Sequence, residues 1–142
     1  MNIYNYCYVN YISLKIINMK AKITTTIRIA LGLLLVVFGL NHLLNFIPMP
    51  APPEAALPYW GGIMSAKFII PTVMIIEVLT GVSLLLNRYT KLFLLLMIPV
   101  TYNFLMFHLF LDPMNIGGAA LVTILHSYLL YKNYDDYKSL IK

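Results

Sequence analysis

The sequence predicts an all-α, polytopic membrane protein: an antiparallel bundle of four transmembrane helices with both termini on the cytoplasmic side. Of its 142 residues, 61% are hydrophobic and only 11% are charged, whereas soluble domains carry about 25% charged residues. The chain also contains four apolar runs, each close to the ~20 residues that a helix needs to cross the hydrocarbon core of a bilayer. Composition and run length together exclude an ordinary soluble domain.

Each apolar run is expected to be a helix, because backbone groups surrounded by lipid must find hydrogen-bond partners within their own segment. The runs lack the alternation of apolar and polar residues that marks the strands of a transmembrane barrel. The two later breaks, at residues 87–91 and 112–113, are short, so the helices that they join are expected to be antiparallel neighbours. The predicted spans are residues 27–47, 65–86, 91–111 and 114–134.

Residues 1–18 stand apart from the rest of the chain. They contain four tyrosines and no apolar stretch typical of a signal peptide. The segment that follows, Met19-Lys-Ala-Lys, is a more usual beginning for a first membrane helix. We hypothesise that Met19 is the true start, or that residues 1–18 form a poorly ordered extension, with residues 19–142 as a single four-helix domain. The one cysteine, Cys7, cannot form an intramolecular disulfide, which excludes chemistry that depends on a cysteine pair.

The distribution of basic residues predicts the orientation in the membrane. With four spans both termini share a side, and all of the lysines and arginines except Lys67 fall on it. This bias predicts that both termini are cytoplasmic. A composition rich in Ile, Asn, Lys and Tyr is typical of an AT-rich bacterium, so the expected location is the inner membrane of a bacterium. The basic residues occur in short groups between apolar runs rather than on one face, so the lipid bilayer and not nucleic acid is the expected partner.

Seven polar side chains lie inside the predicted spans or near their ends. Such side chains are costly in lipid and usually face the interior of a bundle. Four of them fall near the outer ends of their helices and three fall deeper. We therefore expect one polar track that runs from the outer surface toward the centre of the bilayer. The outer group is Asn41, His42, Lys67 and His108, and the deeper group is Glu77, Asn103 and His126.

Helical phase indicates how the first span packs. Gly32, Gly39 and His42 fall on one face of that helix, and small residues in membrane helices mark close contact between helices. His42 is therefore expected to point into the bundle. The same reasoning predicts close packing at the Gly117-Gly118 pair near the start of the fourth span.

Glu77 is the single formal charge in the second apolar run. Carboxyl groups at this depth are usually functional, so Glu77 is the candidate for proton transfer. The alternative is a structural carboxylate that accepts hydrogen bonds from Asn103, His126 or Thr80, and the sequence leaves both open. Asn103 and His108 are five residues apart, about 140° around a helix, so these two are not expected to share a partner.

The three histidines are on three different predicted helices. A metal ion or haem would need histidines at ligand spacing, such as His-x-x-x-His, and no such spacing occurs here. Histidines that are hydrogen-bonded within the bundle are the favoured interpretation. We therefore assign no metal site and do not expect haem.

Three segments together resemble the DoxX family of membrane proteins. They are LGLLLVVFGLNHLLNFIPMPAPP at residues 31–53, IIEVLTGVSLLLNR at residues 75–88, and FHLFLDP at residues 107–113. The resemblance extends over residues 19–137 and implies a four-helix membrane fold. Some relatives are small subunits of thiosulfate:quinone oxidoreductase or parts of other membrane-associated oxidoreductase complexes, which implies a protein partner and quinone as the cofactor.

The leading functional hypothesis is an accessory subunit in membrane-associated redox or oxidative-stress chemistry, linked to quinone, with a buried polar site around Glu77. The chain is not expected to be an enzyme on its own, because it has no nucleotide-binding glycine loop, no Ser-His-Asp arrangement and no paired carboxylates. Two alternatives remain open: a small proton-coupled transporter, and a structural or assembly factor without chemistry. The sequence does not determine the oligomeric state.

Overall fold

The computed structural model describes the backbone of residues 3–138 and the side chains of residues 12–138. The side chains of Cys7 and the N-terminal tyrosines, and the last basic residue, Lys142, lie outside the described residues. The described chain is helical and contains no strand. Six helices follow one another: α1 Ile3–Leu44, α2 Leu57–Ser65, α3 Ile69–Leu86, α4 Thr90–Phe110, α5 Ile116–Lys132 and α6 Tyr134–Tyr137, with short 3-10 turns at Glu54–Ala56 and Pro113–Asn115.

The all-α fold with four membrane-spanning helices is confirmed. Four helical segments are long and apolar enough to cross a bilayer: Ile12–Leu44, Ile69–Leu86, Thr90–Phe110 and Pro113–Lys132. Only 17–22% of the residues in the most apolar window of each segment are buried by protein, so most of the apolar side chains are left for contact with lipid.

The helix bounds differ from the predicted spans in two places. The first helix continues back to Ile3, so residues 3–18 are helical; the start at Met19 stays a prediction. The second span begins at Ile69 rather than at residue 65, because the loop before it contains the short helix α2. A helix of nine residues is only about 14 Å long, too short to cross a membrane.

The helices close into a ring in which α1 packs on α3, α3 on α4, α4 on α5, and α5 on α1. Its core consists of seven buried side chains: Leu31, Leu35, Leu84, Leu94, Met97, Val122 and Leu129. The tight turn between α3 and α4 holds Asn87 and Tyr89 in the left-handed region, at φ 54° and 57°. The N–H of Asn87 bonds to Leu84 O and that of Arg88 to Ser83 O, which satisfies the last carbonyl groups of α3.

Glycines bring α1 and α3 into close antiparallel contact, as the phase of the first span predicted. A Cβ on Gly32 would lie 3.1 Å from Gly81 O, and one on Gly39 would lie 2.9 Å from Val78 Cγ2. The prediction for Gly117-Gly118 is wrong: in the described chain a Cβ on either residue would meet no atom within 4 Å. That pair begins α5 beyond the reach of the neighbouring helices.

Candidate functional site

The close contact between α1 and α3 determines where the polar residues of these helices meet. A Cβ on Gly39 would lie only 3.1 Å from Cβ of Glu77, so the α1 backbone passes directly beside the α3 carboxylate. His42 follows Gly39 by three residues, which places it on the same face of α1 almost one turn further along. The glycine thus removes the bulk that would otherwise separate the two helices at the level of Glu77.

His42 and Glu77 form a pair across this contact. His42 Nε2 lies 3.2 Å from Glu77 Oε2, and the side chains are 32% and 13% exposed, respectively. This distance is that of an ion pair, but the contact does not have the geometry of a hydrogen bond. Within residues 12–138, Oε2 has no hydrogen-bond partner. The carboxylate is therefore only partly satisfied by its neighbour. An imidazole and a carboxyl group at this separation can pass a proton between them.

Asn41 fixes the end of α1 next to this pair. It is 5% exposed, its Oδ1 accepts from Ile47 N at 2.7 Å, and its Nδ2 donates to Ile47 O at 3.1 Å. Between them, Asn45 adopts φ 48° and bonds through its N–H to Asn41 O. The amide side chain thus clamps the loop that leaves α1, and its role is to position the helix end that carries His42.

His108 lies in an aromatic cluster at the end of α4, made of Tyr59, Trp60, Phe104, Phe107 and His108. Its ring stands edge-on to Phe104 at 4.9 Å and to Phe107 at 5.1 Å between centroids. On its polar edge, Nδ1 lies 3.7 Å from Asp112 Oδ2. This second carboxylate–imidazole contact is within one helix end, and it involves no other predicted site residue.

Asn103 faces α2 rather than Glu77. The Tyr59 hydroxyl donates to Asn103 Oδ1, and the Tyr59 ring packs against Phe107 at 5.1 Å. Burial raises the pKa of Tyr59, while the hydrogen bond to Asn103 acts in the opposite direction and is the weaker influence. Tyr59 therefore remains a hydrogen-bond donor at neutral pH, and it joins α2 to the outer half of α4.

His126 connects α5 to α4 through the backbone. It is 2% exposed, and its Nε2 lies 2.9 Å from the carbonyl oxygen of Leu94. A carbonyl can only accept, so this nitrogen carries the proton. The same stretch of α4 accepts a weak bond from Thr80 Oγ1 to Phe93 O at 3.4 Å. His126 thus stabilises the contact between two helices.

Lys67 lies outside the spans. It occupies the turn between α2 and α3, with φ 58° and an exposed side chain. Its N–H bonds to Met64 O at 3.3 Å as the chain reverses. The prediction that Lys67 lies at the start of the second span is therefore wrong, because the helix begins only at Ile69.

Of the seven predicted site residues, the structure brings only His42 and Glu77 into contact with each other. In the described chain, no hydrogen bond or ion pair links this pair to Asn103, His108 or His126. The polar side chains therefore form separate groups and not the single contact network that one track would require. The structural alternative for Glu77 named Asn103, His126 and Thr80 as partners, whereas the observed partner is His42.

Sequence reasoning missed two partners. The first is Tyr59, since no sequence signal connects it with Asn103, which is 44 residues away. Asp112 is the neighbour of His108, and here the His-x-x-x-Asp spacing at a helix end was an available signal. Within residues 12–138, no group of three or more His, Cys, Asp or Glu side chains lies close enough to hold a metal ion.

Comparison with known families gives one match. The family model described as DoxX matches residues 23–109, which is more than half of the chain and runs from α1 through nearly all of α4. The matched segment contains His42, Glu77, Asn103 and His108. No curated protein and no solved structure matches the chain.

Proposed function

The chain belongs to the DoxX family of membrane proteins, and we propose that it is an accessory subunit of a membrane-associated redox complex, in which His42 and Glu77 exchange protons with a quinone. The observation that carries the proposal is the 3.2 Å contact between His42 Nε2 and Glu77 Oε2. Both groups can change their protonation state, and both belong to helices that cross the membrane. A charge in that setting is retained for function more often than for stability.

The exposure of the two side chains suits proton exchange with a molecule in the lipid. The His42 ring is about one-third exposed on the protein surface, whereas the Glu77 carboxylate lies behind it at 13%. Glu77 also has an oxygen with an unsatisfied hydrogen-bonding capacity. His42 is thus the group that can touch a bound molecule, and Glu77 the group that holds or returns the proton.

A quinone carbonyl fits these residues because it accepts hydrogen bonds, and a protonated imidazole or carboxyl group donates them. When bound, a quinone supplies the ability to take up two electrons and two protons. The protonated forms of His42 and Glu77 would supply the two protons, from Nε2 and Oε2, while the two electrons come from a partner oxidoreductase. The chain contributes no electron carrier of its own in this proposal.

The proposed orientation puts this pair near the outer side of a bacterial inner membrane. The basic residues cluster toward the end of the bundle where the α3–α4 turn and the C-terminal helix lie, and the positive-inside rule makes that end cytoplasmic. His42 is at the opposite end of α1. Reporter fusions after α5 and in the loop at residues 48–56 test this: cytoplasmic activity is expected only for the fusion after α5.

The central experiment is infrared difference spectroscopy on the purified protein in lipid, recorded as an added short-chain quinone is reduced. A carboxyl band that appears or disappears on reduction is expected from Glu77. It should be absent in Glu77→Gln and unchanged in Glu54→Gln, because Glu54 is an exposed carboxylate in the loop before α2. Extraction of the wild-type protein should also yield bound quinone.

Other outcomes separate this proposal from its alternatives. A pH-gradient-driven solute flux in proteoliposomes that requires Glu77 would instead support a proton-coupled transporter. If no quinone binds and Glu77→Gln supports every host phenotype, the protein is a structural or assembly factor and the redox proposal fails.

A further inference from the structure

The opposite end of the bundle contains a polar cavity. It has a volume of about 200 Å³ and lies between α1, the α3–α4 turn and α5. Six of its nine lining residues are polar: Thr24, Thr25, Arg28, Asn87, Thr90 and Asn133. None of these is a predicted site residue, and none contacts the His42–Glu77 pair.

Arg28 gives the cavity its charge. Among the described residues that line the cavity, it is the one ionisable side chain, and none of them carries a carboxylate. Arg28 is partly buried, and its Nη1 donates to the carbonyl oxygen of Leu84 at the end of α3. One such bond leaves the other N–H groups of the guanidinium for a further acceptor. A positive charge this close to lipid is costly when it has no counter-ion in the same cavity. A bound anion would lower that cost.

Some of the other polar side chains that line the cavity already make hydrogen bonds, and others do not. Thr24 Oγ1 bonds to Lys20 O and to the Tyr128 hydroxyl, and Asn133 Nδ2 donates to Leu129 O. By contrast, the side chains of Thr25, Asn87 and Thr90 make no hydrogen bond in the described chain. Thr90 is also the first residue of α4, whose first turn has no side-chain cap, so its N–H groups add partial positive charge there.

The size and charge of the cavity select the ligand. At about 30 Å³ per water molecule it holds roughly six or seven waters, which suits a phosphate group. It is smaller than the ~300–1,000 Å³ of pockets for drug-sized ligands. The planar fork of an arginine matches phosphate oxygens in a bidentate manner. We propose that this cavity binds a phosphate-type anion, with Arg28 as the main ligand.

Two sources can supply this chemistry: the phosphodiester of an anionic lipid headgroup, or free phosphate. Basic pockets between membrane helices are typical sites for anionic headgroups. Lys20, Lys22 and Arg88 add positive charge near the same end of the bundle. Lys91 adds less, since its Nζ pairs with Asp136 Oδ1 at 2.8 Å.

The test is native mass spectrometry and thermal unfolding of the full chain in mixed micelles. The first arm compares phosphatidylglycerol with phosphatidylcholine, and the second arm titrates inorganic phosphate in phosphatidylcholine alone. We expect one retained phosphatidylglycerol and a raised melting temperature. Arg28→Gln should weaken binding by about tenfold or more, since a charge-assisted pair is lost. The matched control is Lys132→Gln, which removes one positive charge from an exposed residue at the same end that does not line the cavity.

A second variant keeps the proposal testable if Arg28→Gln does not fold. Thr90→Val keeps the shape of the side chain and the Arg28–Leu84 bond, and should weaken binding several-fold without lowering the melting temperature of the lipid-free protein. Binding of phosphatidylglycerol alone identifies a lipid site, and binding of inorganic phosphate identifies a site for the free ion. If neither probe binds, or if both Arg28→Gln and Thr90→Val bind as tightly as wild type, the proposal is overturned. None of these readouts depends on quinone or on Glu77.

Discussion

Two helix contacts in the bundle each contain a histidine, and the two histidines have different partners. In the α1–α3 contact, His42 faces the carboxylate of Glu77. In the α4–α5 contact, His126 faces the backbone carbonyl of Leu94. A carbonyl fixes one tautomer and offers no second protonation state, so His126 holds helices together. A carboxylate can itself gain and lose a proton, so His42 belongs to a pair that can do chemistry.

The two contacts also differ in how closely their helices pack. Glycines at positions 32, 39 and 81 let α1 and α3 approach until a single added Cβ would clash. The glycines of α5 leave open space around them in the described chain. Glycine content alone therefore does not indicate close packing in a membrane helix; the position of each glycine relative to the neighbouring helix decides it.

The largest expected effect comes from enlarging a glycine in the α1–α3 contact. A Cβ on Gly81 would lie 2.7 Å from Gly32 O and 2.9 Å from Val36 N, and backbone atoms cannot move aside cheaply. Gly81→Ala should destabilise the protein by about 3 kcal/mol, as overpacking in a tight site does. Unfolding in increasing dodecyl sulfate, followed by circular dichroism, measures this.

The matched control for that substitution is Gly118→Ala, since a Cβ there meets no atom within 4 Å. It should leave the unfolding midpoint within about 0.5 kcal/mol of wild type. If Gly118→Ala destabilises as much as Gly81→Ala, the proposed contrast between the two contacts is wrong.

An intermediate effect is expected when a histidine is replaced by a leucine of similar size. His126→Leu removes the bond to Leu94 O and should lower stability by about 0.6 kcal/mol, the average for side-chain hydrogen bonds between membrane helices, and by at most about 1.7 kcal/mol. His42→Leu should cost less, because the His42 ring is one-third exposed. The same unfolding assay ranks the two, and a larger loss for His42→Leu would contradict the assignment of roles.

The smallest expected change in stability is for Glu77→Gln. Glutamine keeps the shape of the side chain and can still hydrogen-bond to His42, so the free energy of unfolding should change by less than about 1 kcal/mol. Proton exchange should nevertheless be lost in the infrared experiment. If Glu77→Gln unfolds as readily as His126→Leu, the role of the His42–Glu77 pair is structural, as that of His126 is.

The sequence predicted the parts of the molecule that depend on hydropathy and helical phase. Four apolar runs gave four spans, and the shared face of Gly32, Gly39 and His42 indicated the contact with α3. The angular separation of Asn103 and His108 also indicated different partners, and these are Tyr59 and Asp112. Each of these inferences needs only residue identity and a period of 3.6.

The sequence does not determine which side chains bond to backbone carbonyl groups, nor how far one helix is offset along its neighbour. The partner of His126 is a carbonyl group, and every residue has one, so no residue type marks it. Glu77 had three candidate partners by depth, but the antiparallel offset of α1 against α3 selects His42. The helix α2 lies in a segment rich in proline and glycine that reads as a loop, so the bond from its Tyr59 to Asn103 could not be predicted.

The length of α1 has a mechanical consequence. A helix of 42 residues is about 63 Å long, whereas a bilayer with its headgroups is about 40–45 Å thick, and a tilt of about 20° takes up only a few ångströms of the difference. If α1 is straight and crosses the bilayer, part of it extends beyond the headgroups at the end opposite His42. A protein that bound this extension would therefore contact the same helix that carries His42 of the His42–Glu77 pair.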